Sequence, residues 1–359
     1  EAVWPRKSYT PPVPGAVKGF RFVDFRIPRA IGVIAFGALF GDIGNSVHRI
    51  GVGDQPTYAL DRAHHLAPQF PHRVGVLEAF EKEIAFLGDP VLKPEVKVID
   101  GPDGPLEIYW YDPAPGSTGR AALYHIHGGG MVIGSARSMQ HGPAGMAAAL
   151  GIPVASVEYR LAPEHPFPAP QEDCYAGLKW LADNAAALGV DPARIGIVGE
   201  SAGGGLAAAT ALMARDRGGP SLAAQFLVFP MLDHRTGSDS CLYANPATGE
   251  VVWTRESNRF GWAALQGSYA ADDARKGWFS PSLAEDLSGL PQTWIGTGSL
   301  DLFLDENLDY ARRLIAAKVP VELHSYPGAI HAFQAIAGSH LAQSFNRDML
   351  GAMARWLVD

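Results

Sequence analysis

Arg194-Ile195-Gly196-Ile197-Val198-Gly199-Glu200-Ser201-Ala202-Gly203 is the stretch whose reading decides the fold. The apolar run 194–198 predicts a strand, and the small-residue stretch that follows, ending near Arg215, predicts a helix. Between them Gly199-Glu200-Ser201-Ala202-Gly203 is a GxSxG pentapeptide. A strand that turns sharply into a helix at such a motif exposes its serine hydroxyl at the top of a sheet. The helix N-terminus then faces any negative charge that develops there. The flanking glycines suit a turn too crowded for Cβ atoms. In a chain this rich in glycine and alanine the pentapeptide alone also fits an ordinary helix start, the lesser of the two readings, and the neighbouring segments decide.

Upstream, the short apolar strand Ala121–Ile126 ends in His127-Gly128-Gly129-Gly130. A glycine run after a strand lets backbone N–H groups point into a site, and donors from Gly129 and Gly130 together with Ala202 N–H could hold an oxyanion. A strand ending in HGGG ahead of a GxSxG turn is far rarer by chance than either motif alone.

A serine hydroxyl is a poor nucleophile without a base, and the base needs an acid to hold its tautomer. In hydrolases with this elbow the chain order is Ser, Asp/Glu, His. Four histidines follow Ser201. His234 falls in an irregular stretch and comes too early; His324 lies inside the alternating strand Val321–Tyr326, where a half-buried structural role is expected; His340 opens the last helix. His331 follows the last strand through Pro327-Gly328-Ala329-Ile330, which is the loop position required. For the acid, strand Thr293–Thr297 runs through Gly298-Ser299-Leu300 to Asp301, while Asp305 and Glu306 are expected to cap and start the next helix.

Around these motifs the pattern is α/β with a mostly parallel sheet. A hairpin is predicted from Val96–Ile99 and Leu106–Tyr111 about Gly101-Pro102-Asp103-Gly104, then strands at 121–126, 152–157, 194–198, 224–229, 293–297 and 321–326. Helices are predicted over 171–188, closed by Gly189, and near 306–318 and 343–358. In such sheets ligands collect at the carboxyl ends of the strands. Residues 1–90 have a different character, with prolines early and an apolar helical face at Val74, Leu77, Phe80, Ile84 and Leu87. They are expected to form an N-terminal cap, or else an extension over a sheet edge, ahead of a catalytic domain at 91–359. Residues 231–290 interrupt the alternation with exposed-looking aromatics (Trp253, Phe260, Trp262, Tyr269, Trp278, Phe279) and are expected to contribute to the cap.

The formal net charge of -8 argues against nucleic-acid or anionic-membrane partners and for a small neutral ligand. Ala30–Gly41, the longest apolar stretch, is roughly half the ~20 residues of a membrane span. Two widely spaced cysteines, Cys174 and Cys241, suit a reducing, cytoplasmic setting, with export left open because the sequence starts at Glu1. His125 and His127 share a strand face but gain no third ligand from the glycines, so no metal is expected. Gly203–Ala208 matches GxGxxA inside the elbow helix rather than at a strand–helix turn, so no dinucleotide cofactor is expected.

His127–Gly130, Tyr159-Arg160-Leu161-Ala162-Pro163-Glu164-His165-Pro166-Phe167-Pro168, the GESAG elbow, Asp301–Glu306 and Tyr326-Pro327-Gly328 leading to His331 together resemble the bacterial hormone-sensitive-lipase-like esterases of the α/β-hydrolase superfamily. The resemblance covers roughly Val96 to the C-terminus. It implies an α/β-hydrolase fold, a mostly parallel central sheet flanked by helices, with a helical cap. It also implies Ser201 as nucleophile, His331 as base, Asp301 as orienting acid and Gly129, Gly130 and Ala202 as oxyanion donors. The expected activity is hydrolysis of short-to-medium acyl esters without cofactor, by a protein of a family in which homodimers are frequent. The sequence departs from the family where Glu200 replaces the usual aspartate and Leu302-Phe303 follows the acid in place of Pro-Leu. Amide hydrolysis by the same residues, and ligand binding without turnover, remain open at this stage.

Overall fold

Strands buried on both faces read as continuous apolar runs, and the centre of this sheet is built from such runs. The structure, a computed structural model, describes residues 89–359 apart from Ala244 and Ala337. The cap expected over residues 1–90, with its helical face at 74–87, lies outside the described residues but for positions 89 and 90. The described strands are β1 (Glu95–Gly101), β2 (Gly104–Tyr111), β3 (Arg120–Ile126), β4 (Val154–Val157), β5 (Val190–Glu200), β6 (Ala224–Val228), β7 (Gln292–Gly298) and β8 (Val321–Tyr326). They form one sheet in the order β1-β2-β4-β3-β5-β6-β7-β8, antiparallel at β1–β2–β4 and parallel from β4 onward. β4, β6 and β7 have no exposed position, whereas the edge strands β1 and β8 mix exposed and buried ones.

Seven helices of the described residues are α1 (His141–Leu150), α2 (Ala169–Asp183), α3 (Ala202–Asp216), α4 (Arg255–Gln266), α5 (Lys276–Phe279), α6 (Leu304–Ala316) and α7 (His340–Met353). Alternate residues of the central strands feed two cores. Ile126, Ile197, Leu227 and Ile295 pack with Leu178 of α2, Leu206 and Leu212 of α3 and Leu314 of α6 on one face. Val198, Phe226 and Trp294 pack with Ala147 of α1 and Phe345 and Met349 of α7 on the other.

Three expectations need correction. The helix expected over 171–188 starts at Ala169, because the fixed φ of Pro170 suits a first turn; it stops at Asp183, where Asn184 closes it through N–H and side-chain bonds to Trp180 O. The last helix spans His340–Met353, capped by Ser339, and only a wider turn, Ala354–Val358, continues it. The aromatics of 231–290 are not exposed: Trp253, Trp262, Tyr269 and Phe279 are buried, and Phe260 and Trp278 half-buried. The rings of Trp262, Tyr269 and Phe279 pack together and against Phe167, with Phe279 stacked on Tyr269 at 3.9 Å and Phe167 edge-on to Phe279 at 5.5 Å.

The strand order places the site. From β3 the chain crosses to β4 on one side and then returns to β5 on the other, so a crevice opens outside the carboxyl ends of β3 and β5. Ile126 pairs with Gly199 there, which brings the HGGG loop and the GxSxG elbow side by side. The GxGxxA run lies inside α3, as its position implies, and its glycines are there for packing: a Cβ on Gly203 would stand 2.1 Å from Ile126 O, and one on Gly205 2.0 Å from Met231 O. Gly203→Ala should therefore cost roughly 1–3 kcal/mol or more through backbone overlap. Gly142→Ala in α1, where a Cβ meets nothing within 4 Å, should be neutral or stabilising. Urea unfolding of both variants checks this, and equal effects would contradict it.

Candidate active site

Ser201 occupies the N-cap position of α3, where a serine ordinarily accepts from the N–H groups of the first turn. Here it makes no such bond, because φ 57° and ψ −119° turn the side chain out of the helix. The turn is pinned on both sides: Ser201 N donates to Val228 O at 2.9 Å, and Ser201 O accepts from Gly205 N at 3.0 Å and Met231 N at 2.9 Å. Ser201 Oγ instead lies 2.9 Å from His331 Nε2, and His331 Nδ1 lies 2.8 Å from Asp301 Oδ2. All three residues are buried, Asp301 completely. A carboxylate at Nδ1 keeps the hydrogen on that nitrogen and leaves Nε2 free to accept from the serine hydroxyl. The other carboxylate oxygen, Asp301 Oδ1, accepts from Phe303 N at 2.9 Å.

The imidazole is also held by rings. Phe229 and Phe303 meet it edge-on, with centroids at 4.8 Å and 5.2 Å. Phe303 in place of leucine thus has a physical account in the ring it sets against the base, while nothing in the structure explains Leu302 in place of proline. The competing acids are engaged elsewhere in the first turn of α6. Asp305 accepts from Asn245 Nδ2 at 2.9 Å. Glu306 accepts from Leu232 N at 2.6 Å, from Asp233 N and from Thr236 Oγ1. Burial, aided by neighbouring Asp233, holds the Glu306 carboxyl well above its usual range. His234, His324 and His340 stand apart from this group: His324 bonds Glu322 at 2.9 Å, and His340 begins α7.

Opposite the elbow, Gly129 and Gly130 adopt φ 114° and 61°. Space as well as φ demands glycine: a Cβ on Gly129 would meet Ile133 O at 2.1 Å, and one on Gly130 the indole of Trp253 at 2.1 Å. A Cβ on Gly128 would lie 2.9 Å from Glu200 O and 3.5 Å from Ser201 Cβ, so the loop runs against the elbow itself. Ala202, at the first position of α3, is fully buried. The arrangement sets a hydroxyl, an oriented imidazole and glycine backbone around one crevice.

The YRLAPEHPFP run, whose role its sequence does not disclose, clasps this loop. Tyr159 Oη donates to His127 O at 2.9 Å and its ring stacks on His127 at 4.2 Å, Ala162 N donates to Met131 O, and Phe167 N to Leu265 O of α4. His127 is fully buried; burial pushes its imidazole down to about 3, so it stays neutral. His125, on the same strand, bonds Ser156 and Glu200 rather than sharing a ligand set with His127, and no cluster of three candidate metal ligands occurs among the described residues. The sequence around Trp253 carries no signal of a site residue. Trp253 covers Gly130 and stands 6.5 Å from His331, ring to ring.

A profile of the alpha/beta hydrolase fold matches residues 123–335, well over half of the chain. The chain belongs to the α/β hydrolases. Within them it is a hormone-sensitive-lipase-like esterase, as its relatives indicate. It is 33% identical to the esterase LipI of Mycobacterium tuberculosis over 280 residues, 75% of this chain and 85% of that one. It is 36% identical to the carboxylesterase NlhH of the same species over 255 residues, 68% of this chain and 77% of that one. Among solved structures, a bacterial heroin esterase superposes with a TM-score of 0.74 at 35% identity, covering 84% of this chain and 98% of its own.

Beyond the elbow this α/β hydrolase anchors the segment that follows its glycine loop with Glu158, just past β4, whose carboxylate accepts from Ala136 N at 2.8 Å and from Arg137 N. Burial outweighs those two donors and pushes the Glu158 carboxyl from 4.5 up to about 7. The folded state therefore holds this proton more tightly than the unfolded chain. Its contribution to stability is complete below about pH 4.5 and declines as pH rises through about 7. Glu158→Gln should flatten that part of the profile in urea unfolding, and an unchanged slope would contradict the assignment.

Proposed function

We propose that this esterase hydrolyses small neutral carboxylic esters through Ser201, His331 and Asp301 by way of an acyl-enzyme. The observation that carries the reading is the unbroken series from Ser201 Oγ to His331 Nε2 at 2.9 Å and from His331 Nδ1 to Asp301 Oδ2 at 2.8 Å. In this reading His331 takes the hydroxyl proton as Oγ attacks the ester carbonyl, and the imidazolium is stabilised by Asp301. The carbonyl oxygen becomes an oxyanion received by the N–H groups of Gly129, Gly130 and Ala202 at the N-terminus of α3. Collapse expels the alcohol, which takes its proton from His331 Nε2. Water then attacks the acyl carbon as it loses a proton to the same nitrogen, and collapse breaks the bond to Ser201 Oγ, which takes that proton back as the acid leaves.

The preference for short-to-medium acyl groups is supported by the indole of Trp253 beside Gly130 and His331, and by α4, whose Gly261 packs against Gly130 O. In the same proposal residues 231–290 roof the crevice of the 91–359 catalytic domain, with residues 1–90 as the remainder of the cap. Among the described residues no helix is long and apolar enough to cross a membrane. The two unlinked cysteines, Cys174 and Cys241, accord with a cytoplasmic setting.

With p-nitrophenyl esters of increasing acyl length, the parent enzyme should be fastest among short-to-medium chains. Ser201→Ala should lose turnover throughout, and Asp301→Asn should lower kcat by about 10⁴-fold while leaving the fold intact. Parental rates in Ser201→Ala would overturn the assignment.

A further inference from the structure

Glu200 is the elbow residue that this mechanism leaves without a task, although its carboxylate reaches the strand that leads into the glycine loop. Its Oε2 is 3.1 Å from His125 Nε2, and His125 Nδ1 is 2.8 Å from Ser156 Oγ. The three side chains form a row across the carboxyl ends of β5, β3 and β4, where His125 is the direct partner of Ser156. His125 and Ser156 are buried, and Glu200 keeps 21% of its side chain exposed. A carboxylate at Nε2 requires a hydrogen there, so in the neutral ring Nδ1 accepts from the Ser156 hydroxyl. Both nitrogens are then engaged and the ring cannot turn.

His125 is the second-last residue of β3, and the loop that carries Gly129 and Gly130 departs directly from that strand. The backbone of Glu200 meets the same loop, since a Cβ on Gly128 would stand 2.9 Å from Glu200 O. Glu200 therefore packs its carbonyl against the oxyanion loop at Gly128 and bonds its carboxylate to His125 in the strand that leads into that loop, while its own C-terminal neighbour is Ser201.

We propose that Glu200, acting through His125, is a positioning residue that fixes the distance between Ser201 Oγ and the N–H groups of Gly129 and Gly130. The proposal rests on the nucleophile and oxyanion roles given above. Length matters to it: an aspartate would draw the carboxylate back by about one C–C bond, roughly 1.5 Å, and out of reach of His125. The loop donors act on an oxyanion that exists only during reaction, so loosening them lowers kcat and leaves KM nearly unchanged.

The test is a kinetic cycle on a short p-nitrophenyl ester with Glu200→Ala, His125→Ala and the double variant, alongside Glu200→Gln, Glu200→Asp and Ser201→Ala. Glu200→Ala should lose roughly 10- to 100-fold in kcat, the range expected for a small misplacement of reacting groups. Its KM should stay within about twofold, as for an interaction made only in the transition state. Glu200→Gln, whose amide oxygen can still accept from Nε2–H, should restore most of the rate, and Glu200→Asp should not. In the His125→Ala background Glu200→Ala should cost nothing further. Multiplying losses, a rise in KM at parental kcat, or a parental kcat in Glu200→Ala would each overturn the proposal. If His125→Ala does not fold, the glutamine and aspartate variants decide: rescue by Gln alone supports it, and equal rates among the three Glu200 variants contradict it. An inactive Ser201→Ala beside a fully active Glu200→Ala rejects this inference alone, whereas an active Ser201→Ala rejects the underlying mechanism.

Discussion

The close approach of α3 to the strand ends is the constraint on which the rest depends. Ser201 stands at a positive φ that costs a non-glycine residue on the order of 1–3 kcal/mol. It is held there because α3 begins within Cβ-excluding distance of Gly199, Ile126 and Met231. Backbone bonds from Ser201 N to Val228 O and from Met231 N to Ser201 O lock the same turn. The strain has a use: a relaxed N-cap serine would spend its hydroxyl on its own helix, and this one presents it to His331.

The remainder of the site is arranged so that buried polar groups have partners. Asp301, fully buried, accepts from His331 and from Phe303 N; Glu306 and Asn307, one turn on, hold Leu232, Asp233 and Pro230 through their backbone. The exit of β6 is thereby tied to the start of α6, and Phe229, at that exit, packs on His331. On the other side Tyr159 and Ala162 hold the glycine loop at His127 and Met131, and Glu158 holds the segment that follows it at Ala136. Arg160 fastens the bracing segment to α2 through a two-pronged contact with buried Asp173.

Much of the fold could be read from sequence, because central strands in a parallel sheet are short apolar runs and the turns between them carry glycine and proline. Ser201, Asp301 and His331 stand out for the same reason: each follows a recognisable strand, and their chain order matches a known chemical logic. What escaped were long-range contacts with no local signature. Nothing in Trp253 or its neighbours announces a partner such as Gly130. The aromatics of 231–290 looked exposed because their partners, Phe167 among them, lie far away in sequence. Glu200 and Phe303 stand as departures from a family pattern, and only their contacts with His125 and His331 give them a physical meaning. Helix ends slipped by a few residues where a cap, such as Asn184, overrode the apolar period.

The most direct test of the central claim is covalent. The parent protein should take up one equivalent of an organophosphate, located by peptide mass spectrometry on Ser201, with loss of esterase activity in step, and Ser201→Ala should take up none. Modification at another serine in step with inactivation, or full activity in fully labelled protein, would contradict the account.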